Sequence, residues 1–118
     1  LRGRLLMAIG RLAAYRGDFD FASGWFDKAM RNASVLGALE PLARATFMRG
    51  TVELNRARYE RAAELLQRSW NLAARAGSVP VQRGAILNLV KLYTQTGEVP
   101  RALEAIEAGE ALSPLWES

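Results

Sequence analysis

Arginine is the side chain with the most chemical reach in this sequence. Fourteen of the sixteen basic residues are Arg and two are Lys, set against twelve acids, with no His and no Cys. That removes imidazole acid–base chemistry, thiolate nucleophiles, disulfides and the usual zinc sets. The proton-transfer groups that remain are Asp, Glu, Tyr and two Lys, none in a spacing tied to a reaction. Asp18 and Asp20 read as turn and helix-start residues, not as a carboxylate dyad. Neither G-x-x-x-x-G-K-S/T nor G-x-G-x-x-G occurs, so phosphate cradling has no support. The expectation is a non-enzyme without catalytic residues, bound metal or cofactor.

Two arginine patterns carry alternatives. Arg49 and Glu53 stand four apart where a helix places them side by side. They read either as an i,i+4 pair with packed stems and solvated heads, or as a partly buried pair linked to a partner. Arg61, Arg68 and Arg75 recur every seven residues. Such a stripe reads as a solvated face supported by Glu64 to Arg68, with nucleic acid as the weaker alternative. No DNA-binding signature accompanies it, and acids crowd the end of the chain. Residues 1–83 hold fourteen bases and seven acids, whereas residues 84–118 hold two and five. A phosphate track along the whole chain would meet repulsion at that end.

The elements that must position these residues follow from spacing and punctuation. With 118 residues, half of them apolar, the chain reads as one globular domain. No apolar run approaches a membrane span and no signal-peptide pattern opens the chain. Its start, Leu1-Arg2-Gly3, reads as the interior of a longer protein, and the expected location is cytoplasmic. Apolar spacings of three and four predict helices at about 2–16, 19–36, 39–56, 59–76, 79–96 and 99–112. In the first of them Leu5, Leu6, Ile9, Leu12 and Ala13 make the apolar set. Pro41, Pro80 and Pro100 sit at helix starts, where the missing N–H costs nothing. Gly17, Gly37, Gly77 and Gly97 sit at helix stops, and Ser113-Pro114 is expected to end the last helix. Ala22, Ala62 and Ala102 mark a forty-residue period. The predicted fold is therefore all-α: six helices in three antiparallel pairs, repeating over about 1–37, 38–77 and 78–116.

The turn Gly17-Asp18-Phe19 with Ala22, Phe26 and Ala29, preceded by Gly10, resembles the tetratricopeptide repeat. Gly50, Tyr59, Ala62 and Leu66 match in the second pair. Tyr93, Gly97, Ala102, Ile106 and Pro114 match in the third, with Val90 in place of the expected Gly. The period of forty departs from the usual 34 of that repeat. Forty-residue variants with endings like Leu72-Ala73-Ala74-Arg75-Ala76-Gly77 are similar to arrays in large bacterial ATP-dependent transcription activators.

The resemblance implies a stack wound as a right-handed superhelix, its concave groove lined by the first helix of each pair. On this chain those positions are Arg4, Met7, Arg11 and Tyr15 in the first helix. Arg44, Phe47, Met48, Thr51 and Asn55 follow in the third helix, and Asn88, Lys91 and Gln95 in the fifth. Cations to pair with carboxylates, amides for a peptide backbone and adaptable apolar groups suit an acidic or C-terminal-carboxylate peptide. The expected function is a protein–protein interaction scaffold. The alternative is a sensory segment of a bacterial transcription activator that binds a small inducer. Leu112, Leu115 and Trp116 offer a second surface, for self-association through the last helix.

Overall fold

The computed structural model describes residues 2–117, the side chains at 113 and 115–117 excepted. Its helices are α1 (Arg2–Tyr15), α2 (Phe19–Leu36), α3 (Leu39–Asn55), α4 (Tyr59–Ala76), α5 (Val79–Gln95) and α6 (Val99–Glu117). Among the described residues there is no strand, and no helix is long and apolar enough to cross a membrane. From α2 onward the helices start twenty residues apart, at 19, 39, 59, 79 and 99. The forty-residue period is thus one helix pair.

All five junctions use one device. Positions 17, 37, 57, 77 and 97 take a left-handed backbone, with φ between 59° and 80°. The next N–H then reaches back to the carbonyl five residues earlier. Asp18 donates to Ala13, Ala38 to Ala33, Arg58 to Glu53, Ser78 to Ala73 and Glu98 to Tyr93, all at 2.8–2.9 Å. This closes the orphan carbonyls of each helix end and turns the chain sharply into the next helix. Asp18 adds a side-chain cap, accepting from the Phe21 amide at 3.4 Å. Connections this short force antiparallel neighbours.

Each helix packs on the next, and α3 also touches α1 and α5, while α2, α4 and α6 do not touch one another among the described residues. The result is three antiparallel pairs in a stack. One apolar cluster joins Leu6, Met7, Ala13, Ala22, Phe26 and Ala29 to Ala45 and Val52 of α3. A second joins Leu54, Ala62 and Leu66 to Ile86, Leu89, Leu92 and Ala105. Small residues set the approach. A Cβ on Gly10 would lie 2.5 Å from Phe26 Cε1, and one on Gly50 3.1 Å from Leu65 Cβ.

Two expectations need correction. In α1 the buried stripe is Leu6, Met7, Gly10 and Ala13, whereas Leu5 and Leu12 stay exposed. Spacing alone fits either side of the helix; the position of α2 against Gly10 selects one. The last helix does not stop at 112 but continues through Ser113 and Pro114 to Glu117. Proline's fixed φ is itself helical, so the helix runs on through Pro114 with the loss of that residue's backbone hydrogen bond. Leu112 is half-buried, while the side chains of Leu115 and Trp116 lie outside the described residues.

Ala57, with φ 59°, is the non-glycine among the left-handed residues. Its Cβ works against that conformation by about 1–2 kcal/mol, part of which glycine returns as unfolded-state entropy. Ala57→Gly should therefore stabilise the chain by about 0.5–1 kcal/mol, read as a higher midpoint in urea unfolding. An unchanged or lower midpoint would show that the turn at 57 is unstrained.

Candidate functional site

The first candidate is the ion-pair cluster at the α3–α4 junction. Its centre is Glu53, whose side chain is 2 % exposed. Arg49, one turn earlier on α3, donates from Nη1 to Glu53 Oε1 at 2.7 Å and from Nε to Asp27 Oδ1 of α2 at 3.0 Å. From the turn, Arg58 brings Nη1 to 3.6 Å from Glu53 Oε2. Burial works against the Arg49 cation, but the hydrogen bond to Glu53 and the charges of Asp27 and Glu53 outweigh it and raise its pKa. Arg49 therefore stays charged at any working pH. The reading of a surface pair with solvated heads does not hold for Glu53. Its carboxylate is enclosed between Arg49 of its own helix and Arg58 of the turn, and Arg49 in turn reaches Asp27 of α2. The cluster ties α2, α3 and the start of α4 together, with no open face on Glu53 for a ligand.

The second candidate is a cavity of about 820 Å³ between the N-terminal halves of α1 and α3, floored by the C-terminal half of α2. Arg4 and Arg11 of α1 and Arg44 of α3 line it, with Asn32 of α2 and Glu40 and Pro41 at the head of α3. Met7, Ala29, Ala33 and Leu36 give it an apolar floor. Arg44 is already engaged: Nε and Nη2 donate to Glu40 Oε1 at 3.0 and 2.6 Å. Arg4 and Arg11 are exposed. Two guanidinium groups without an ion-pair partner among the described residues and one paired with Glu40 thus face one partly apolar hollow.

The equivalent space one pair later is filled. Forty residues on from Met7 stands Phe47, and forty on from Arg44 stands Gly84. The Phe47 ring presses on the Gly84 backbone, where a Cβ would lie 2.8 Å from Phe47 Cζ. Next to it, Asn88 Nδ2 donates to Thr51 Oγ1 at 3.0 Å, and Thr51 Oγ1 donates to the Phe47 carbonyl at 2.9 Å. Phe47, Thr51 and Asn88 therefore close the α3–α5 seam and do not line an open groove.

The expected groove residues consequently separate. Arg4, Met7, Arg11 and Arg44 come together in the cavity, though Met7 is buried and contributes floor, not an accessible grip. Met48 is half-buried against the first apolar cluster. Tyr15, Asn55 and Gln95 close α1, α3 and α5 and are exposed, as is Lys91, and none of the four lines the cavity. Arg61, Arg68 and Arg75 are exposed, and Arg61 instead of Arg68 pairs with Glu64, at 3.3 Å. Asn32 and Glu40 were not singled out in the sequence. Their signal is positional: they flank the Gly37 turn that carries the chain under the cavity.

Removing one member of the buried pair should be costly. Arg49→Met leaves Glu53 with only the more distant Arg58 and is expected to destabilise by about 3–5 kcal/mol, whereas Arg49→Met with Glu53→Leu should be near neutral. Denaturant unfolding of both variants checks this, and a double variant as unstable as the single one would contradict it.

The sequence matches no protein-family model and no curated protein.

Proposed function

We propose that the chain is a non-catalytic interaction module that receives an acidic peptide, or a peptide's terminal carboxylate, in the cavity between α1 and α3. The observation that carries this reading is the convergence of Arg4, Arg11 and Arg44 on a hollow with an apolar floor. Guanidinium groups offer paired N–H donors matched to carboxylates. Exposed Leu36, over the floor that Met7 and Ala29 form, can hold an aliphatic side chain beside the charge. Asn32 supplies amide donor and acceptor groups for a peptide backbone. Glu40 serves as an internal stand-in for the guest, holding Arg44 until a ligand carboxylate competes for it.

The tetratricopeptide resemblance supports a scaffold, because such stacks present binding surfaces. It also supports a second reading, a sensory segment of a bacterial transcription activator. The cavity volume favours that reading specifically, since about 820 Å³ falls within the range of small-molecule pockets. Thermal-shift measurement separates the two: stabilisation by small organic acids supports a sensor, and response only to acidic peptides supports the scaffold.

Fluorescence anisotropy with an acidic peptide tests the cavity. Reversing Arg4, Arg11 and Arg44 to Glu should weaken binding by more than about tenfold and flatten its salt dependence. Affinity and salt dependence both left unchanged would exclude the cavity as the binding surface. Glu40→Gln releases Arg44 and should tighten the same peptide several-fold; weaker binding in that variant would remove Glu40 from the role of competitor.

A further inference from the structure

The seam where α4 and α6 meet over α5 holds a hollow of about 220 Å³, separate from the cavity between α1 and α3. Trp70 of α4 and Tyr93 of α5 line it, together with buried Leu89 and Ala105 and, from the outside, Gln67 and Glu104. One pair earlier the corresponding space is full. Forty residues before Leu89 stands Arg49, whose guanidinium lies between Asp27 and Glu53. Forty before Gln67, Tyr93 and Ala105 stand Asp27, Glu53 and Leu65, and Leu65 is fully buried. The seam of α2, α3 and α4 therefore supplies its own cation. The next seam exchanges that arginine for a leucine and the buried leucine for an alanine, and it is left hollow.

The charges around the hollow change with it. In the earlier seam Glu64 pairs with Arg61 at 3.3 Å. In the later one Arg101, at the position of Arg61, pairs instead with Glu98 at 3.1 Å. Glu104, at the position of Glu64, is left without an ion-pair partner among the described residues. One uncompensated carboxylate thus borders the hollow, in a segment, residues 84–118, that holds five acids against two bases. Where the earlier seam has the carboxylates of Asp27 and Glu53, this one offers an amide, a phenol and two aromatic rings. Such walls cannot accept every N–H of a guanidinium, and each donor left unpaired is costly. They suit a cation whose charge is spread over methyl groups, which has no N–H to satisfy and is drawn to aromatic faces.

We propose that this hollow binds a methylated ammonium group, with Trp70 and Tyr93 contacting the methyls and Glu104 balancing the charge. Its volume is below that of a pocket for a drug-sized ligand and has room for one compact group. The site stands independently of the cavity between α1 and α3 and of what that cavity receives. A free quaternary amine and a methylated lysine side chain present the same group, so both serve as probes.

An NMR titration of the indole N–H signals with choline tests the site. The signal that is absent from Trp70→Phe should shift, with a dissociation constant on the order of millimolar, and the other tryptophan signals should not. Ethanolamine, which lacks the methyls, and the uncharged carbon analogue of choline should each bind at least about fivefold more weakly. A trimethyllysine peptide that binds at least about tenfold tighter than choline identifies a side chain as the guest; equal or weaker binding identifies a free amine. Ala105→Leu restores the residue of the earlier seam and should abolish the shift, with native helix content by circular dichroism. Should that variant fail to fold, Glu104→Gln at the exposed edge should weaken choline about threefold and remove the salt dependence of its binding. No choline shift at Trp70, equal binding of ethanolamine or of the uncharged analogue, or unchanged affinity in Glu104→Gln overturns the proposal. So does a folded Ala105→Leu variant that still binds.

Discussion

The left-handed residue every twenty positions is the constraint on which the structure depends. At 17, 37, 57, 77 and 97 it lets the following N–H reach the carbonyl five residues back. Each helix therefore ends at a set residue, and its successor begins two residues after the left-handed one. Reversal of direction, antiparallel pairing and the stacking of odd helices follow from that single repeated turn. Helix length is then set by the interval between turns more than by the propensity of any one helix. This explains why α3, whose turn carries Ala57 in place of glycine, stops in phase with α1 and α5.

One junction departs from the others in two ways at once. Between α3 and α4 the left-handed residue is Ala57, and the carbonyl that receives the turn belongs to Glu53, a buried acid where Ala13, Ala33, Ala73 and Tyr93 serve elsewhere. The backbone of Glu53 closes the turn while its side chain gathers Arg49 and Arg58, and Arg49 extends the cluster to Asp27. Charge-assisted hydrogen bonds thus stand at the place where glycine is missing. A buried ion pair contributes little net stability against an apolar equivalent, but it is demanding about geometry. Here that geometry locks the register of α2, α3 and α4.

Departures from repetition also create the surfaces available to partners. Phe47 against Gly84 seals the seam between α3 and α5, whereas Met7 and Arg44 at the same positions leave the seam between α1 and α3 open. A ring facing a glycine fills space; a buried thioether beneath an arginine, itself held aside by Glu40, does not. The open seam gathers guanidinium groups above an apolar floor, and its chemistry suits carboxylates.

Much of the architecture was legible in the sequence because its causes are local. Glycines at four of five turns, prolines in first turns and alanines forty residues apart each act within a few residues of themselves. Six helices and their limits could be read from them, α6 excepted, where the helix runs on through Pro114. What one side chain meets on another helix is not local. Spacing put Leu5 and Leu12 in the apolar set of α1, but only packing against α2 decided that Gly10 and Ala13 face inward. The pairing of Arg49 with Glu53 was visible at a spacing of four, while the enclosure of Glu53 and the reach to Asp27 were not. Arg4, Arg11 and Arg44 could be named from the sequence as groove residues. Their separation from Phe47, Thr51 and Asn88 was decided by tertiary structure, because whether a seam between helices is filled depends on the volumes of residues forty positions apart.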